Sequence, residues 1–65
     1  MIEKWVVKVR GILLPSYIKK VNSYEKKSFE STIIFDNAHR YTSVKNAMKA
    51  STAFNGVVEI VIEKN

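Results

Sequence analysis

Residues 42–63 read TSVKNAMKASTAFNGVVEIVIE, and within this stretch the hydrophobic spacing changes once. Val44, Ala47, Met48, Ser51 and Phe54 recur at i, i+3, i+4, i+7 and i+10, which is one face of an α-helix. Lys45, Asn46 and Lys49 fall off that stripe. Thr42 or Ser43 stands where a side-chain oxygen can accept a hydrogen bond from a first-turn amide. Asn55-Gly56 is expected to stop the helix, with the glycine taking the left-handed conformation. From Val57 to Glu63 the period drops to two: Val58, Ile60 and Ile62 on one side, Val57, Glu59, Val61 and Glu63 on the other. That predicts a strand.

Working back toward the N-terminus, Glu3 to Arg10 alternates in the same way, with Trp5, Val7 and Val9 against Lys4, Val6, Lys8 and Arg10. Gly11 and Pro15 interrupt the chain before a second strand, Ser16 to about Asn22. Polar residues between Asn22 and Ser28 predict an exposed turn. Phe29 to Asp36 (FESTIIFD) reads as a third strand, because Thr32, Ile33, Ile34 and Phe35 favour extended backbone. The order is β-β-β-α-β. It predicts a single α+β domain over residues 1–65: an antiparallel three-stranded meander, a helix packed on one face, and a final strand beside the first or at another edge.

A chain of 65 residues buries only about 60% of its unfolded surface, so a core of this size gives marginal stability. It has no cysteine and a single histidine, which rules out disulfides and thiolate metal sites; no cofactor is expected. No apolar run approaches the roughly 20 residues that span a bilayer. Neither a membrane partner nor a signal peptide is expected, and the predicted location is cytoplasmic. The net charge of +5 is uneven. Residues 1–28 carry seven basic groups and two acidic ones, while residues 29–65 carry four of each. The first half therefore attracts anionic partners.

One helix covers one face of a sheet. Val6, Ile34, Val57 and Val61 are expected on the other face, where a solvated sheet normally turns polar. They are either isolated surface residues or an interface with a second copy or another protein. Gly11-Ile12-Leu13-Leu14-Pro15 poses a similar choice between extra core and an apolar loop tip, and the small core favours burial.

Asp36-Asn37-Ala38-His39-Arg40-Tyr41 concentrates polar side chains, yet no nucleophile elbow, oxyanion hole, phosphate loop or metal-ligand spacing accompanies it. The segment reads as a strand-to-helix connection, with Ala38 and Tyr41 inward and His39 and Arg40 in water. No catalytic residue is assigned. A nucleic-acid interface would draw on Lys8, Arg10, Tyr17, Lys19, Lys20, Tyr24, Lys26 and Lys27, since aromatics beside lysines can stack bases while the cations meet phosphates. Against it, strand alternation separates Lys19 from Lys20, and only two arginines are present.

Three further groups of residues, Trp5-Val6-Val7-Lys8-Val9, Tyr17-Ile18-Lys19-Lys20 and Ala38-His39-Arg40-Tyr41-Thr42-Ser43-Val44-Lys45-Asn46-Ala47, are followed by Gly56-Val57-Val58-Glu59-Ile60. Together they resemble small accessory proteins encoded by bacteriophages of Gram-positive bacteria. The resemblance covers most of the chain through short structural motifs and transfers no functional residue. It implies a protein in the bacterial host cytoplasm that binds and modulates a host or defence protein. The expectation is a non-enzymatic binding protein, as a homodimer, with nucleic-acid binding as the alternative.

Overall fold

The computed structural model describes residues 2–11 and 13–63. It contains strands β1 (Ile2–Val9), β2 (Ser16–Ser23), β3 (Ser28–Thr32) and β4 (Val57–Glu63), with helix α1 (Val44–Phe54) before β4. The four strands form one antiparallel sheet in the order β3-β2-β1-β4. The α+β architecture matches the sequence reading, and the last strand lies beside the first.

β1 and β4 pair without interruption from Ile2↔Glu63 to Lys8↔Val57. Their alternation sorts side chains cleanly. Trp5, Val7, Val58, Ile60 and Ile62 share one face, while Lys4, Val6, Lys8, Val57, Glu59, Val61 and Glu63 share the other. The helix packs on the first of these, where Val7, Val9, Ile18, Tyr41, Ala47 and Ala50 form the core.

β1 and β2 meet only at Lys8↔Tyr17 and Val9↔Ser16. Beyond that corner they part, and the segment before the helix enters the gap. Tyr41 exchanges two backbone hydrogen bonds with Trp5 (2.7 and 3.0 Å), and His39 N–H donates to Ile18 C=O at 2.9 Å. The inserted backbone satisfies strand edges that would otherwise be left unpaired. It also directs Tyr41, 8% exposed, toward the helix and Ala38, 5% exposed, the other way.

The helix begins as expected at Ser43, whose hydroxyl accepts from Asn46 N–H. Its end differs from expectation: Asn55 takes the left-handed conformation (φ 56, ψ 42), and neither glycine has positive φ. Gly56 answers a different need. A Cβ there would lie 2.6 Å from Val7 Cγ1 and 2.9 Å from Lys8 C=O, so only glycine lets the helix exit run this close to β1. The buried stripe is narrower than the sequence implies. Ala47 and Ala50 are fully buried, whereas Val44 and Met48 are exposed. Two alanines at the contact bring the helix close to the sheet and leave the larger side chains on its flank.

The third strand is shorter than Phe29–Asp36. β3 ends at Thr32, whose Oγ1 accepts from Ile34 N–H, a local turn that competes with strand pairing. A 3-10 turn over Phe35–Asn37 follows. Ile33 and Ile34, which propensity places in a strand, are exposed in this connection.

Candidate functional site

The face opposite the helix is not the open apolar surface that alternation predicts. Val6 is fully buried, so it cannot belong to an interface. The connection between β3 and α1 reaches this face at Glu63. From this connection the Arg40 guanidinium donates to the carbonyls of Phe35 (2.9 Å) and Ala38 (3.0 Å) and meets Glu63 of β4 at 3.4 Å. It also stacks 4.6 Å from the centroid of the Phe35 ring, which meets Tyr17 edge-on at 5.3 Å. Arg40 is therefore a clamp over the sheet, contrary to its expected position in water. Of the other interface candidates, Val61 is half-buried, while Val57 and Ile34 are exposed but far apart in sequence and on different elements.

The Gly11–Pro15 segment also departs from expectation. Leu13 is 92% exposed and Leu14 57%, so these two leucines form an apolar loop tip; Ile12 lies outside the described residues. The tip borders a concavity of about 560 Å³ lined by Lys8, Arg10, Leu13, Leu14, Val57 and Glu59, among others. Apolar side chains meet solvent there, beside two cations and one carboxylate.

The basic residues divide in a way that alternation alone does not anticipate. Pairing of β2 with β3 shifts between Ile18 and Lys20 and again between Val21 and Ser23. Each shift inserts an extra residue in β2, and a bulge of this kind re-aims side chains. Lys19 and Lys20, expected on opposite faces, both line a second concavity of about 300 Å³ with Val21, Tyr24, His39 and Tyr41. Lys49 of the helix stands 4.7 Å from the Tyr24 ring centroid. Burial, reinforced by the adjacent Tyr24, pushes the Tyr41 phenol up to about 12, so it stays neutral.

The tyrosines proposed for base stacking are already engaged. Tyr24 packs on Phe54 at 5.6 Å and Tyr17 on Phe35 at 5.3 Å. Lys26 and Lys27 lie on the exposed β2–β3 turn, and Lys8 and Arg10 at the other concavity. The eight candidates thus form three groups rather than one track. The His39 ring stands edge-on to Tyr41, 4.5 Å between centroids. Among the described residues no group of three or more His, Asp or Glu side chains could hold a metal ion, and no helix is long and apolar enough to cross a membrane.

Sequence reasoning missed the Arg40 clamp and the outer side of β4, and it ranked the loop tip at Leu13 below burial. A long cationic side chain five residues after an aromatic was the only available signal for the clamp. No family model matches the sequence, and no curated protein or solved structure is significantly similar to it.

Proposed function

We propose that the chain is a small non-enzymatic binding protein, acting as a homodimer, that modulates a partner protein by direct stoichiometric contact. The observation that carries this reading is the balance of apolar side chains. Among the described residues only Ile18, Val6 and Val7 are large and fully buried, while eleven large apolar side chains are exposed. Scattered exposed apolar residues are ordinary, but contiguous ones mark surfaces that become covered. At the loop tip, Leu13, Leu14 and Val57 beside Lys8 and Arg10 suit a partner with an apolar patch rimmed by carboxylates. The resemblance to phage accessory proteins makes that partner a host or defence protein in the bacterial cytoplasm.

A second reading has its own support. Convergence of Lys19, Lys20 and His39 on one concavity favours a phosphate-bearing ligand, nucleic acid included. A tagged capture from bacterial lysate, with and without nuclease, separates the two. The protein-binding reading expects one stoichiometric protein that survives nuclease and 0.5 M salt (a condition on the order of several times physiological strength). That protein is lost with Leu13→Asp and kept with Lys19→Ala/Lys20→Ala. The opposite pattern, with capture abolished by nuclease, assigns the function to nucleic acid.

A further inference from the structure

The outer side of β4 is the least protected part of the molecule. An edge strand exposes unpaired N–H and C=O groups, and proteins normally guard such edges with lysine, proline, bulges or short length. The β4 sequence, VVEIVIE, has neither proline nor lysine, pairs with β1 without a shift, and runs seven residues. Among the described residues no strand lies on its outer side. Two large side chains on its helix-facing surface, Ile60 (56%) and Ile62 (51%), are exposed.

The helix extends this patch. Lys49 approaches Tyr24, which ends β2's side of the core, so its flank of α1 faces away from β4. At 100° per residue Val44 and Met48 lie on the other flank, on the β4 side, and both are exposed. Exposed apolar side chains thus stand on the helix flank and on the helix-facing side of β4, beside an open backbone edge.

We infer that β4 pairs antiparallel with β4 of a second copy about a two-fold axis through Ile60, joining two sheets into one of eight strands. This deepens the homodimer in the reading above and does not depend on the partner protein. The axis stands perpendicular to the sheet and keeps both helices on the same face. Side-chain chemistry selects the register. With Ile60 opposite its own copy, Val58 faces Ile62, Glu59 faces Val61 and Val57 faces Glu63, so all seven residues pair and no carboxylate opposes another. Centring on Val61 would place Glu59 against Glu63 twice, and centring on Glu59 would place it against itself. Like charges directly opposite are unfavourable in a sheet. Centring further along leaves part of the strand unpaired.

The test uses the full chain, which lacks cysteine, so an introduced thiol has no competitor. Ile60→Cys should form a disulfide-linked dimer on mild oxidation, because the axial residue faces its own copy, whereas Glu30→Cys on the opposite edge should not. Val61→Glu keeps the monomer sound, since residue 61 faces Lys4 on β1, yet sets two new carboxylates against Glu59 across the axis. Its dimer dissociation constant should rise about tenfold or more, less so at high salt, with the melting temperature of the monomer unchanged. A dimeric mass with no Ile60→Cys cross-link and no Val61→Glu effect overturns this interface while leaving a homodimer in place. A monomeric mass at millimolar concentration overturns self-association altogether, and capture of a partner by the loop tip is read separately.

Discussion

β3 closes one side of the sheet with five mostly polar residues, SFEST, and its pairing with β2 slips twice. β4 closes the other side with seven residues, five of them aliphatic, in unbroken register with β1. The first edge is short and follows a bulged neighbour, which twists it away from any straight template. The second is a template. Since both belong to one sheet of one small domain, the difference teaches which edge is guarded and which is left open. The exposed Ile60 and Ile62 point the same way as the backbone, and the polar Glu30 and Ser31 of β3 do the reverse.

The largest expected effect comes from disturbing how β4 is seated. Gly56→Ala puts a methyl group against Val7 Cγ1 and Lys8 C=O, and should cost about 1–3 kcal/mol of stability, the range for forced overpacking. Urea unfolding measures it. An effect near zero would mean that the start of β4 shifts freely and that its edge is not a fixed template. Next comes the clamp that joins the two halves. Arg40→Ala removes two charge-assisted hydrogen bonds to carbonyls, one of them open to solvent, for a loss of about 1–2 kcal/mol. The half-buried ion pairs of Glu63 are long, at 3.4 Å, and partly open to solvent, so Glu63→Gln should stay within about 1 kcal/mol of the parent.

Conversion of the guarded edge sharpens the contrast. Glu30→Val/Ser31→Val makes β3 apolar but keeps its bulged partner. If bulges guard the edge, association measured by light scattering should rise only slightly. If charge and polarity are the whole protection, it should rise as steeply as β4 pairing itself. The smallest effect is on pH dependence. The Tyr41 phenol is raised in the folded state above its ordinary value of 10.0, so the unfolded chain loses that proton first. Tyr41 stabilises the fold fully below pH 10, and this contribution disappears as pH climbs toward about 12. Thermal melts should fall over that window, and Tyr41→Phe should flatten the fall.

Legibility in the sequence followed the kind of interaction involved. β1 and β4 alternate because each has one face on the core, and a capped amphipathic run between turn residues left little choice for α1. The final strand's place beside β1 was not written in its residues, because alternation specifies faces but not neighbours. Ile33, Ile34 and Phe35 misled through propensity: the Thr32 hydroxyl and the Arg40 clamp hold that stretch in a turn, and both contacts are local or tertiary rather than periodic. Lys19 and Lys20 misled through parity, since one inserted residue undoes a period of two. Leu13 misled through composition alone, because an apolar run reads the same whether it fills a core or caps a loop. Edge character was readable only once the strand order was known.

The contrast between the edges is tested most directly by amide hydrogen exchange along β3 and β4 at rising protein concentration. The outward amides of β4 should become protected as concentration increases, centred on Ile60, while those of β3 exchange at a constant rate. Equal exchange at both edges, unchanged by concentration, would contradict it.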